Sequence, residues 1–81
     1  MKKFKLSATV KEVKHLKNSL AGNPNYSILF EDEEGKTHEA KTVVNGSIGY
    51  RIYSRMEGKK YNLTLHYTPN YNLILSDFEE V

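Results

Sequence analysis

The chain alternates between apolar and polar residues in several short stretches, and the first of these is the longest. One face of that stretch holds four apolar residues, Phe4, Leu6, Ala8 and Val10. A period of two residues over this length predicts a half-buried β-strand. The next apolar residue is Val13, so the pattern slips by one position. Such a slip predicts a β-bulge that bends one long strand covering residues 3–16.

Four shorter stretches predict four more strands. The second carries Tyr26, Ile28 and Phe30, and the others cover residues 36–44, 61–67 and 71–75, the last followed by Phe78. The turn between the second and third strands is residues 31–36, EDEEGK, whose acidic run we expect to be solvated.

A short helix is predicted between the third and fourth strands. Asn45 or Ser47 can accept a hydrogen bond from a free backbone N–H of a first helical turn. Ile48, Ile52 and Met56 then recur every four residues, as one helical face requires. We expect two to three turns that end at Gly58.

The order of elements, β-β-β-α-β-β, predicts an all-β fold with one short helix. A long bent first strand and a single helix after the third strand are typical of the OB-fold, a five-stranded Greek-key barrel. Closure into a barrel would also protect the edges of short amphipathic strands. The alternatives are an SH3-like barrel or a meander sheet crossed by one helix. At 81 residues, we expect a single domain over residues 1–81.

Composition indicates the cellular compartment of the protein more clearly than its biochemical activity. The chain has no cysteine, which excludes disulfides and thiolate metal sites and suits a reducing cytosol. Its net charge of +2 neither demands nor forbids a polyanionic partner. The lysine-rich start lacks the apolar core of a signal peptide, and no apolar run is long enough to span a membrane. We therefore expect a cytoplasmic protein that does not act at a membrane.

The stretch NSLAGNPNY, residues 18–26, is long for a loop between two strands. It could be an Ω-like loop that satisfies its own hydrogen bonds, with Gly22 left-handed and Pro24 fixing the chain. In an OB-like barrel it could instead rim a binding face together with the loop between the fourth and fifth strands. The rim would offer a phosphate-bearing or polar ligand these residues: Lys14, His15, Lys17, Asn18, Asn23, Asn25, Tyr67, Asn70 and Tyr71.

Residue parity weakens the case for nucleic acid on the sheet face itself. If Tyr26, Ile28 and Phe30 point inward, no aromatic residue remains on the outer face of the second and third strands. Single-strand binders normally combine a basic groove with exposed aromatics on which bases stack. Glu31 and Glu39 on that face would repel a phosphate backbone.

A second candidate surface lies on the predicted helix. Tyrosine and arginine are enriched in interface hot spots, and the helix carries an alternating set of both, Tyr50, Arg51, Tyr53 and Arg55. They cannot all face the core, so some form an exposed aromatic–cationic patch, unless one tyrosine packs inward and the other lies on the barrel wall.

No catalytic or metal-binding motif stands out. The three histidines, His15, His38 and His66, lack metal-ligand spacing. No serine has a nearby His–acid pattern, and no glycine-rich phosphate loop is present. We expect a binding protein rather than an enzyme, with no cofactor and no metal.

The loop NSLAGNPNY, followed by Thr42 and then by residues 45–50, NGSIGY, resembles a family of small uncharacterised proteins of phages and other mobile elements. The match covers roughly residues 6–52, with Asn25 where a basic residue is more usual and Ala8 where glycine is common. The resemblance implies a phage or mobile-element setting in a bacterial host and supplies no catalytic residue.

Two hypotheses for function remain from the sequence. The first is an OB-like accessory module that binds single-stranded nucleic acid. The alternative is a protein–protein interaction module that binds a host factor or forms a homodimer.

Overall fold

Five strands close into a barrel in the computed structural model, which describes residues 2–44 and 46–81. The strands are β1 (Phe4–Leu16), β2 (Asn25–Asp32), β3 (Thr37–Thr42), β4 (Lys60–Tyr67) and β5 (Leu73–Glu80). Two short 3₁₀ segments, Ser47–Arg51 and Ser54–Met56, connect β3 to β4. Among the described residues, no helix has the length and apolar character that a membrane crossing requires.

The order of the strands confirms the OB-like prediction. Neighbours around the barrel run β1-β2-β3-β5-β4, and β4 returns to pair with β1. β3 lies parallel to β5, whereas the other pairs are antiparallel. A meander would keep β3 beside β4, so that alternative is excluded.

The predicted bulge in β1 is present and explains how one strand serves two neighbours. The register with β2 shifts between Val10 and Glu12, which leaves Lys11 as the extra residue. Phe4 to Thr9 pair with β4, whereas Ala8 to Leu16 pair with β2. The carbonyl of Val10 accepts a hydrogen bond from the Gly58 N–H at 2.7 Å, which anchors the bend to the chain before β4.

Residues of the predicted inward faces form the core. Among the described residues, thirteen hydrophobic side chains are buried, including Val10, Ile28, Phe30, Leu63 and Leu65. The register of β5 with β4 shifts beside Ser76, an irregularity that the alternation does not predict. This second shift turns both Leu75 and Phe78 inward.

The predicted helix of two to three turns is wrong in form. Two 3₁₀ segments take its place, separated by extended backbone at Ile52 and Tyr53. The N-cap position of the first segment is Gly46, and no side chain caps it, so Ser47 does not act as the predicted cap. The other predicted cap, Asn45, lies outside the described residues. Gly49 and the neighbouring tyrosines have low helix propensity, so nothing local favours a continuous α-helix. The predicted apolar residues are nevertheless buried: Ile48, Ile52 and Met56.

Candidate binding site

The loop over residues 18–26 satisfies much of its own hydrogen bonding. The Ser19 N–H donates to the Asn23 carbonyl at 2.9 Å, and the Gly22 N–H donates to the Ser19 carbonyl at 2.9 Å. The Ser19 hydroxyl oxygen accepts from the Asn23 N–H at 3.1 Å. Gly22 has φ +85°, a conformation that costs glycine little. The loop is therefore a compact, internally bonded turn and not an open connection.

This loop is also fixed to the chain that follows β3. Gly49 lies so close to the backbone of Pro24 that a Cβ there would overlap the Pro24 carbonyl oxygen. The Tyr50 hydroxyl donates to Oδ1 of Asn23 at 3.0 Å. The loop of residues 18–26 and the segment of residues 46–50 thus pack against each other.

The predicted rim divides into two groups, and the first lies at the end of β1 and in the loop. His15 Nε2 lies 3.2 Å from Oδ1 of Asn18, and Nδ2 of Asn25 donates to the Lys17 carbonyl at 3.2 Å. The His15 ring also meets Tyr26 edge-on at 5.0 Å between centroids. These polar groups hold the loop in place, which leaves them less able to bind a ligand, and Asn23 is likewise engaged by Tyr50.

The second group, Tyr67, Asn70 and Tyr71, lies at the other end of β1. Tyr67 ends β4 beside Phe4, the first residue of β1, whereas the loop of residues 18–26 follows Leu16, the last. The ladder from Ser27 through Lys41 and Ile74 to His66 nevertheless puts both groups at the same edge of the barrel, three strands apart.

An exposed aromatic cluster lies where β4 ends beside the start of β1. The rings of Phe4 and Tyr67 stack with centroids 5.9 Å apart and planes 24° from parallel. Phe4 is 39% exposed, Tyr67 50% and Tyr71 86%. We call these three residues the aromatic platform.

Tyr71 is held in an unusual conformation within the platform. Its φ of 61° is the only positive value among the described non-glycine residues. The turn is closed by Thr68, whose carbonyl accepts from the Tyr71 N–H at 2.9 Å and whose hydroxyl accepts from the Asn72 N–H at 3.1 Å. Bulky residues at positive φ cost energy and cluster at functional sites. The turn thus holds the backbone of Tyr71, the most exposed residue of the platform, in a defined conformation.

Lysines border the platform on the side of β1. Lys2 and Lys3 directly precede Phe4, and both are exposed. Neither pairs with a carboxylate among residues 2–44 and 46–81. Lys5 lies further along, where it faces Asp77 and Glu79 around a shallow depression on the outer wall. The alternation of β1 predicts a core position for Phe4, and only its place at the open end of the strand exposes it.

The predicted aromatic–cationic patch between β3 and β4 is exposed, but one of its arginines is bound to β5. Tyr50, Arg51, Tyr53 and Arg55 all reach solvent. Arg51, however, donates from Nη1 to Asp77 at 2.7 Å and from Nη2 to the Phe78 carbonyl at 2.8 Å. Its guanidinium also lies 4.5 Å from the centre of the Phe78 ring. Arg51 therefore ties the first 3₁₀ segment to β5.

The surroundings of two carboxylates and one phenol shift their pKa values. The hydrogen bond from His38, at 2.8 Å between Nε2 and Oδ2, is the main cause that lowers the pKa of Asp32. The hydrogen bond from Arg51 likewise lowers the pKa of Asp77. Burial, followed by the neighbouring Tyr53, raises the pKa of Tyr61. None of these three groups belongs to the aromatic platform, so they report on stability and not on ligand binding.

Comparison with known protein families, characterised proteins and solved structures finds no match to this chain.

Proposed function

We propose that this protein is an OB-like module that binds single-stranded nucleic acid without catalysing a reaction. The observation that carries the proposal is the aromatic platform of Phe4, Tyr67 and Tyr71, bordered by the exposed Lys2 and Lys3. Exposed aromatic rings provide stacking surfaces for unpaired bases, and lysines contribute attraction for the phosphates.

The platform supplies what the outer face of β2 and β3 lacks. Side chains on that face include Ser27, Leu29 and Glu39, with no aromatic ring among them. A strand of nucleic acid would therefore contact the end of the barrel formed by the start of β1 and the β4–β5 turn. The resemblance of the loop to small phage proteins supports an accessory role for a phage or mobile element in the cytoplasm of a bacterial host.

The test is fluorescence anisotropy with labelled single-stranded DNA and RNA oligomers at low and physiological salt. Tyr67→Ala should weaken binding by about 1–3 kcal/mol for each base that no longer stacks, which is roughly 5- to 150-fold. Tyr71→Asn tests the exposed ring without adding backbone strain, because asparagine tolerates positive φ. Tyr53→Ala removes an exposed tyrosine outside the platform and serves as the matched control.

Charge variants distinguish the aromatic platform from the loop of residues 18–26 as the binding site. Replacing Lys2 and Lys3 by glutamine should reduce the slope of log affinity against log salt by about 0.7 for each phosphate that the variant no longer neutralises. Charge reversal at Lys14 and Lys17 should leave binding nearly unchanged if the platform is the site. Strong weakening with the Lys14 and Lys17 variants alone would instead place the ligand at the loop of residues 18–26. Absence of binding at low salt would overturn the proposal.

A protein-docking role is the second candidate, and the loop of residues 18–26 favours it. Leu20 at the loop tip is fully exposed, and Tyr50 beside Asn23 is 68% exposed. Because the loop is already held in one conformation, binding of a partner would cost little conformational entropy in the loop. Failure of oligonucleotides to bind at any salt, with capture of one host protein that Leu20→Ser abolishes, would support this role over nucleic-acid binding.

A further inference from the structure

The outer face of β1, β2 and β3 carries two adjacent rows of like charge. We name them the basic row and the acidic row. Cross-strand pairing defines the basic row as Lys14, Ser27 and Lys41 and the acidic row as Glu12, Leu29 and Glu39. In each row the two charged residues flank a central residue of β2 that carries no charge.

These four charges lack the partners that nearby charges have. On the same side of the barrel Lys11 pairs with Glu31 at 3.8 Å. Within residues 2–44 and 46–81, no salt bridge engages Glu12, Lys14, Glu39 or Lys41. Like charges on one face of a sheet repel each other, and here they are separated by two strand spacings, about 10 Å. The nearest charge to each is the opposite one of the other row, two residues or about 7 Å along the same strand, yet no salt bridge joins them among residues 2–44 and 46–81, so all four are available to a partner.

The middle of this face is recessed and weakly polar. Ser27 is only 5% exposed and Leu29 is partly buried. Together with Glu12, Lys14 and Glu39 they line a shallow depression of about 100 Å³. A surface with a low centre and charges at its margins resembles the core and rim of a protein interface.

We propose that this face binds a second copy of the chain in a twofold-symmetric dimer. A twofold axis that runs across the strands, between the two rows, places the basic row of one copy over the acidic row of the other. Lys14 then faces Glu12 of the second copy, and Lys41 faces its Glu39. Ser27 faces Leu29 in the same way, so that a twofold interface is complementary to itself, as such interfaces must be.

The size of the face indicates a weak dimer. Three strands at about 4.8 Å spacing give a narrow contact, well below the roughly 800 Å² per partner of a standard interface. The dimer does not rest on the proposed nucleic-acid site, since the platform is formed by β1, β4 and the β4–β5 turn.

Charge swapping gives a direct test by sedimentation equilibrium of the full chain. Wild type should show concentration-dependent dimerisation. Lys14→Glu and Glu12→Lys should each weaken self-association at least about tenfold, because each places like charges opposite one another. An equimolar mixture of the two variants should restore association, since every facing pair is then of opposite charge.

Two controls keep the result specific. Lys59→Glu and Glu34→Lys change the net charge equally but lie off this face, and their mixture should not gain association beyond that of wild type. The pair Lys41→Glu and Glu39→Lys repeats the experiment on β3 should a β1 variant fail to fold. Wild type that is monomeric up to about 1 mM would overturn the proposal. A mixture that associates no better than the single variants would overturn it as well.

Discussion

Replacement of Gly49 by alanine separates two opposing expectations about the first 3₁₀ segment. Gly49 has an ordinary backbone conformation, so propensity alone predicts that alanine stabilises the fold by about 0.4–1 kcal/mol through the unfolded state. The structure predicts the opposite sign, because the new methyl group would overlap the carbonyl oxygen of Pro24 and contact its ring carbon Cγ. One substitution therefore decides whether the loop of residues 18–26 truly rests on Gly49.

The expected magnitude follows from how little room the methyl group would have. The obstacle is backbone, and it belongs to a loop already held by Ser19 and by the hydrogen bond between Tyr50 and Asn23. Overpacking of this kind costs roughly 1–3 kcal/mol. Destabilisation by about 2 kcal/mol lowers the melting temperature of a domain this size by about 8–16 °C.

The assay is thermal and urea denaturation followed by circular dichroism. Ser47→Ala is the matched control, since it adds alanine to the same segment at a residue that makes no capping hydrogen bond. We expect Ser47→Ala to stay within about 0.5 kcal/mol of wild type. A Gly49→Ala variant as stable as the Ser47→Ala variant, or more stable than wild type, would refute the packing of Gly49 on Pro24.

Three further predictions concern the electrostatics of the fold. Arg51→Met should destabilise by about 1 kcal/mol, because the partly exposed pair with Asp77 is screened by solvent while the hydrogen bond to the Phe78 carbonyl is also removed; a urea midpoint unchanged from wild type would contradict this. The lowered pKa of Asp32 contributes stability above the ordinary carboxyl pKa, and this stability disappears as pH falls through the folded value. The stability difference between wild type and Asp32→Asn should therefore shrink on acidification below about pH 4, and a constant difference would contradict the lowered pKa of Asp32. The raised pKa of Tyr61 means that stability falls as pH rises above about 10, and a Tyr61→Phe variant should lose this alkaline sensitivity in urea titrations.

Most of the barrel could be predicted from the sequence because burial in a sheet has a two-residue period. The slip between Val10 and Val13 indicates the bulge, and the parity of β2 identifies its inward residues. The irregularity beside Ser76 has a weaker signal, because the three-residue spacing from Leu75 to Phe78 is followed by no further apolar residue in β5. The order of the elements was enough to propose the OB-like topology. That topology needs a first strand long enough to pair with two neighbours, as β1 does with β2 and β4.

The local and surface features were harder to predict because they depend on contacts between distant parts of the chain. Arg51 anchors the first 3₁₀ segment to β5, and no local sequence pattern indicates this contact. Phe4 has the alternation of a core residue, yet its place at the open end of β1 exposes it against Tyr67. The two loops of the predicted rim lie at one edge of the barrel but three strands apart, and polar side chains of the first loop bond to the loop itself.

The pairing of β1 also has a consequence for how the chain folds. The second half of β1 can pair with β2 as a hairpin soon after both are synthesised, but Phe4 and Lys5 must wait for Leu65 and Thr64. Contacts between residues so far apart in sequence slow folding, and barrels rich in them fold in milliseconds to seconds. The start of β1, which carries half of the stacked aromatic pair, is therefore among the last parts of the barrel to be fixed during translation. A nascent chain stalled before β4 would have a folded hairpin and no platform.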